Sequence, residues 1–245
     1  MEIIAHRGAS ADAPENTLAA IRLAWEQGAD AVEVDVWLTR DRQIVVIHDE
    51  TTERLSGGQS SQPIAEQSLA ELQRLDVGSW KGPRWSGETI PTLADVLAIV
   101  PRRKRLYVEI KCGAEIVPVL VDFVQATSAA RDNLVLIGFS CEVLAELKRL
   151  LPLIPMLWVV ELMRASDGHG WSPSAAECVR DARQAGLDGL DVSACPGVDA
   201  NLVAAVHAAG MRLAVWTVDD REEARRLNAI GVDGITTNRP GWLRE

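Results

Sequence analysis

Three carboxylates and two histidines are the residues of this chain whose types and spacing could do chemistry together. Glu33 and Asp35 lie two apart in Val32-Glu33-Val34-Asp35-Val36, and Glu109 precedes Lys111 by two in Leu106-Tyr107-Val108-Glu109-Ile110-Lys111. Alternate side chains of a strand face opposite ways. The valines of the first run, and Leu106, Val108 and Ile110 of the second, suit packing against helices. Glu33, Asp35, Glu109 and Lys111 then share the opposite face. Like charges in a partly buried site repel and lose hydration, and a divalent cation relieves both costs. Oxygen ligands without thiolates favour Mg2+ or Ca2+ over zinc. The alternative is that Arg7 and Lys111 neutralise the acids in a structural ion-pair network.

His6 closes the run Glu2–His6, and His48 closes Ile44–His48. Imidazole titrates near neutrality, so one ring can accept a proton while the other donates one. Arg7 could grip an anionic oxygen through its fork of donors, or pair with a carboxylate. Trp216 shares a strand face with the small Ala214, so it is either a stacking platform or an upper-layer packing residue. His207 falls on a polar helix face and reads as solvated. His169 sits in the loop Asp167-Gly168-His169-Gly170 and carries no assignment.

Short apolar runs alternate with longer amphipathic ones, the pattern of βα units and a parallel sheet. The expected strands are Glu2–His6, Ala31–Trp37, Leu106–Lys111, Leu134–Phe139, Pro155–Val160, Asp188–Val192, Arg212–Thr217 and Asp233–Thr237. Helices are expected near Pro14–Gln27, Leu93–Val100, Ala114–Thr127, Glu142–Leu150, Ser174–Gln184, Ala200–Ala208 and Arg221–Ala229. Pro14 and Glu15 suit a helix start, and Gly28, Gly186, Gly210 and Gly231 sit where left-handed helix ends belong. Eight strands in this rhythm imply an α/β TIM (β/α)8 barrel. Strand-end carboxylates then gather at the face where barrel enzymes place their sites.

One run does not fit. Ile44–His48 follows the second strand too closely for a parallel crossover, so it should fold back as a hairpin and bring His48 beside Asp35. Residues from about 49 to 91 lose periodicity, although Ser68-Leu69-Ala70-Glu71 has a capping-box pattern. They read as a small inserted lid over the barrel mouth, within one domain spanning 1–245.

The chain has 245 residues, 47% of them apolar, and a formal charge of −10. That length suits one large α/β domain, and that charge argues against nucleic acid, which wants a basic stripe. Positive potential must then be local, from a few Lys or Arg or from a cation. The four cysteines show no CxxC pair or zinc spacing, so they read as packing thiols in a reducing compartment. The first residues lack the pattern of a signal peptide. No run approaches the roughly 18 apolar residues of a membrane span. The expectation is a soluble, cytoplasmic protein without stable membrane association.

Several motifs occur in one order: His6-Arg7-Gly8, Pro14-Glu15-Asn16-Thr17, Val32-Glu33-Val34-Asp35-Val36, His48-Asp49, Glu109-Ile110-Lys111 and Trp216-Thr217-Val218, with Leu75-Asp76-Val77-Gly78-Ser79-Trp80 between. In this the chain resembles the glycerophosphodiester phosphodiesterase family, most of all its short cytoplasmic bacterial members, from about residue 2 to about residue 240. The resemblance implies a metal-dependent hydrolase on a TIM barrel. Its substrate would be a small glycerophosphodiester, split into glycerol 3-phosphate and an alcohol. It also implies an acid–base pair at His6 and His48, a metal held by Glu33, Asp35 and Glu109, and phosphate contacts at Arg7 and Lys111. The chain departs from the family at Asn238, often an aspartate there, and at Gly138-Phe139-Ser140, where a Ser-Phe-Asp-like run is common. Neither change is expected to touch the groups around the reacting centre.

The residues leave two rival readings. A phospholipase acting on lyso- or intact phospholipids would need an apolar docking element near the mouth. Trp80, Trp85 and Trp171 fall in candidate mouth loops, but charged residues are interspersed. A non-catalytic anion-binding barrel would not need both histidines and all three acids.

Overall fold

The computed structural model describes residues 1–58, 61–127, 133–165 and 170–243. Eight parallel strands form the barrel: β1 (Glu2–His6), β2 (Ala31–Leu38), β4 (Arg105–Ile110), β5 (Leu134–Gly138), β6 (Met156–Val160), β9 (Gly189–Ser193), β10 (Arg212–Trp216) and β11 (Gly234–Thr237). Neighbour follows neighbour in the order β1-β11-β10-β9-β6-β5-β4-β2, and pairing of β1 with β2 closes the ring. The expected barrel is therefore present. β3 (Ile44–Val46) lies antiparallel on β2, and β7 (Met163–Arg164) pairs with β8 (Trp171–Ser172) as a separate two-stranded ribbon. His169 lies outside the described residues.

Strand alternation divides the apolar residues into two shells. Val32, Val34, Val36, Leu106, Val108 and Ile110 pack outward in the large cluster shared with the helices. Ile4, Ala31, Tyr107, Val135, Ile137, Leu157, Val159 and Ala214 fill the barrel interior. Because the period is two, this split sends Glu33, Asp35 and Glu109 to the inner face.

The helices are α1 (Leu18–Glu26), α2 (Leu69–Leu72), α3 (Leu93–Ala98), α4 (Val117–Ala126), α5 (Cys141–Leu150), α6 (Ala175–Gln184), α7 (Ala200–Ala208) and α8 (Arg221–Ala229). Gly28, Gly186, Gly210 and Gly231 all take positive φ behind helices, as expected. The start of α1 differs from expectation. Thr17, not Pro14, is its cap: the Thr17 hydroxyl accepts from Ala20 N at 3.2 Å and donates to Pro14 O at 2.7 Å. A Ser/Thr cap satisfies a helix-end N–H that proline cannot address. Pro14, Glu15 and Asn16 are thereby left in a turn beside the barrel mouth.

The hairpin register also differs. Val36 pairs with Val46, so Asp35 faces Ile47, whose N–H donates to Asp35 O at 3.0 Å. His48 therefore stands one residue beyond the expected pairing, past the end of β3. Between β3 and α3 the chain packs around its own apolar cluster of Val45, Ile47, Leu55, Ile64, Leu72, Val77 and Ile90. Lys81 Nζ donates to Ser10 O at 2.7 Å and Arg84 to Asp12 O at 2.8 Å, tying this stretch to the β1–α1 loop. The Ser68–Glu71 capping box is present and starts α2.

Candidate active site

The β1–α1 loop sets the geometry of the mouth. Arg7 has φ 55° and Gly8 φ 81°, so the chain reverses sharply after His6. A Cβ on Gly8 would stand 2.6 Å from the backbone carbon of Ala20, so no side chain fits there. Arg7 and Asn16 (φ 59°) hold left-handed conformations, which cost non-glycine residues about 1–3 kcal/mol and gather at functional sites. In return, Arg7 N donates to Glu33 Oε2 at 2.9 Å and Asn16 Nδ2 donates to Asp35 Oδ2 at 2.8 Å.

Glu33, Asp35 and Glu109 each offer an oxygen, all within 4.8 Å of one another. Glu33 is 2% exposed and Asp35 wholly buried. Burial, then the charges of Asp35 and Glu109, push the Glu33 carboxyl well above the usual carboxylate range. Burial and Asp35 push Glu109 up as well. The cations do not balance the cluster. Arg7 Nε lies 3.1 Å from Asp35 Oδ2, and Lys111 Nζ lies 2.8 Å from Glu109 Oε1 but 3.8 Å from Asp35 Oδ1. Glu33 Oε1 and Asp35 Oδ1 are buried without hydrogen-bond partners. Orphaned, inward-facing carboxylate oxygens are costly in a fold and suit a hard divalent cation. The residues present fit such an ion.

The two imidazoles are fixed by their Nδ1 atoms. Asn238 Nδ2 donates to Asp219 Oδ2 at 2.6 Å, which turns its Oδ1 toward His6 Nδ1 at 2.8 Å. His6 Nδ1 is then the donor, and Nε2 is left as a bare acceptor. Burial, helped by the charge of Arg7, lowers the His6 pKa and keeps the ring neutral near pH 7. His48 Nδ1 lies 2.8 Å from Asp49 Oδ1, and Lys111 Nζ lies 3.3 Å from His48 Nε2. Arg54 holds Asp49 Oδ2 at 2.6 Å and grips both oxygens of Glu15, whose Oε1 also accepts from Arg7 at 2.9 Å. Burial opposes the charge on Asp49, but the bonds from Arg54 and His48 still hold its pKa below the ordinary value.

A cavity of about 300 Å3 is lined on one side by His6, Arg7, Glu33, His48, Glu109 and Lys111. Trp216, Phe139, Ile137 and Val159 line the other side. Phe139 meets Trp216 edge to face at 5.9 Å. Trp216 is thus at the top of the barrel and beside the acids. His207 is remote: its Nε2 lies 3.0 Å from Asp233 Oδ2, so it is paired rather than merely solvated.

Sequence reasoning missed three groups of the site. Asn238, expected to stay clear of the reacting centre, is bonded directly to His6. Asp191, inside an expected strand, is a further buried acid lining the cavity. Glu15, expected to begin a helix, is the carboxylate that joins Arg7 to Arg54.

Residues 6–242 match the glycerophosphoryl diester phosphodiesterase family. YhdW of Bacillus subtilis is 35% identical over 248 residues, covering 99% of this chain and 96% of the relative. A glycerophosphodiester phosphodiesterase of Caldanaerobacter subterraneus subsp. tengcongensis is 32% identical, covering 98% and 95%. An Oleispira antarctica phosphodiesterase, solved with its product sn-glycerol-3-phosphate, superposes with a TM-score of 0.84 at 29% identity, covering 100% and 95%. No described helix is long and apolar enough to cross a membrane. On the extent of the family match and these identities, the chain belongs to the glycerophosphoryl diester phosphodiesterase family and is a phosphoric diester hydrolase.

Proposed function

We propose that the protein hydrolyses small glycerophosphodiesters to glycerol 3-phosphate and an alcohol, as one domain in which the described residues between 49 and 91 roof the mouth. The observation that carries this reading is the meeting of two oriented imidazoles, two cations and three carboxylates at one side of the cavity, with Asp35 buried behind its wall. Glu33, Asp35 and Glu109 would hold a divalent cation, Mg2+ or Ca2+. When bound, it supplies Lewis-acid stabilisation of charge on the phosphodiester oxygens.

The side chains do the rest. Arg7 and Lys111 bind the anionic oxygens and offset charge that grows in the transition state. His6, kept neutral, takes the proton of the attacking oxygen at Nε2, whether that oxygen belongs to water or to the glycerol 2-hydroxyl. His48 delivers a proton to the departing alcohol, with the Asp49 carboxylate at Nδ1 balancing the imidazolium. The aromatic wall of Trp216 and Phe139 packs against the carbon skeleton and excludes water. Trp85 stacks on Arg84 and Trp171 on Arg164, while Trp80 donates to Val77 O beside Lys81. These mouth-loop rings are engaged by cations of the chain itself, which favours a soluble substrate over a membrane lipid.

Phosphorus NMR of glycerophosphocholine tests the activity. Glycerol 3-phosphate should appear with Mg2+ or Ca2+ and stop appearing with chelator. Intact substrate after long incubation with either cation would reject the reading.

The Asn238 contact gives a pH test of His6. Exchanging the pair, Asn238→Asp with Asp219→Asn, puts a carboxylate on Nδ1 and can keep the hydrogen bonds. The negative charge should raise the His6 pKa. A base works only when deprotonated, so rate falls as pH drops through its pKa. A raised pKa moves that fall, and the acidic limb of kcat/KM, to higher pH. An unmoved limb would remove His6 as the base.

A further inference from the structure

Asp191 is the buried acid that the chemistry above does not use. It lies on β9 in register with Val159 and Ala214, both interior residues, while Leu190 and Val192 pack outward. Its side chain therefore points into the barrel. It is 2% exposed, and its Oδ1 has no hydrogen-bond partner. It is not one of the three acids whose oxygens meet within 4.8 Å. Trp216 Nε1 donates to Asp191 O at 3.1 Å, which lays the indole beside it.

The cavity has a depth gradient. Phe139, 48% exposed, marks the rim, whereas Ile137, Val159, Asp191 and Thr236 are each 3% exposed or less. The cations and imidazoles that suit a phosphate line the opposite wall. The deep end offers two aliphatic side chains, a threonine and one carboxyl with an open oxygen. That combination fits carbon chain plus hydroxyl. Burial, reinforced by the charge of Glu109, pushes the Asp191 pKa up to about 8. Its open oxygen can accept from a hydroxyl, and a protonated carboxyl can donate to one as well.

Resting on the phosphodiesterase reading, we propose that Asp191 is a specificity-determining residue, hydrogen-bonding a hydroxyl of the substrate's glycerol portion seated at the cavity floor. Polar groups placed to hold a hydroxyl reject analogues without it, because they are left unpaired. Without such a ligand the group only burdens the fold, since an unpartnered buried carboxyl is costly.

Calorimetric titration with sn-glycerol 3-phosphate and with propyl phosphate, equal in charge but lacking hydroxyls, tests this. Asp191→Leu should weaken glycerol 3-phosphate by about 10–100-fold, the worth of a buried hydrogen bond. Propyl phosphate should bind no more weakly than to the wild type. Asp191→Asn, which keeps a donor and an acceptor, should recover most of the lost affinity. Asp191→Leu should also melt higher than the wild type, which separates lost binding from lost folding. Equal weakening of both ligands, or no weakening of either, overturns the proposal. Neither ligand needs to be turned over. A failure to hydrolyse glycerophosphocholine would therefore strike the proposed function, while the titrations still decide the role of Asp191.

Discussion

His6→Ala and His48→Ala should each lower kcat by about 10²–10⁴-fold, the usual worth of a positioned acid or base. Each ring has one nitrogen spent on orientation, to Asn238 or to Asp49; the other faces the cavity, where His48 Nε2 lies 3.3 Å from Lys111 Nζ. Removing either ring also leaves its neighbours in place. Arg7 stays bonded to Glu15 and paired with Asp35, and Lys111 stays on Glu109. Substrate binding should therefore hold better than turnover, and KM should move less than kcat. The double variant should lose far less than the product of the single losses, because groups that act as a unit are not additive. His207→Ala is the control, since that ring pairs with Asp233 away from the cavity. Steady-state kinetics at saturating cation reads all four. A His48 variant with near-normal kcat would remove that ring from the chemistry.

Side-chain alternation made much of this site legible. Once Val32-Glu33-Val34-Asp35-Val36 is a barrel strand, the valines must face the helices and the acids the interior, and the two apolar shells have that division. The same rule could have found Asp191, whose neighbours Leu190 and Val192 are outward-facing apolar residues. No residue within two positions of it is charged, so no pair of acids on one strand face marks it in the sequence. Asn238 was hidden for a different reason. It follows β11, and only the closing of the ring, with Ala5 opposite Thr237, brings it to His6. The hairpin register differs by one residue because Ile44-Val45-Val46-Ile47 is apolar on both faces, so alternation does not choose between registers and the turn decides. Pro14 and Glu15 misled because helix-start preferences are local, whereas Thr17 wins through its own bonds to Ala20 and Pro14. Local pattern specified which residues face inward. Long-range closure decided which of them meet.

Glu33→Gln, Asp35→Asn and Glu109→Gln should each abolish the stabilisation that Mg2+ or Ca2+ gives the wild type. A ligand at 100 times its Kd adds about 2.7 kcal/mol, which for a domain of this size raises Tm by roughly 5–10 °C, at about 2–4 °C per kcal/mol. Calorimetric titration should show the matching loss of binding. The same cluster predicts a pH dependence without cation. The Glu33 carboxyl is raised in the folded state, chiefly by burial and then by Asp35 and Glu109. A raised acid binds its proton more tightly folded than unfolded. Its contribution is therefore fully present below the ordinary value of 4.5 and is lost as pH rises through the folded value. In chelator, Glu33→Gln removes that penalty, so it should melt higher than the wild type at pH 8 and gain less at pH 5. A structural ion-pair network predicts the opposite sign, because the amide would leave Arg7 facing one carboxylate fewer. If Glu33→Gln melts lower at pH 8, and neither cation shifts the wild type, the acids are held by Arg7 and Lys111 alone and the metal assignment falls.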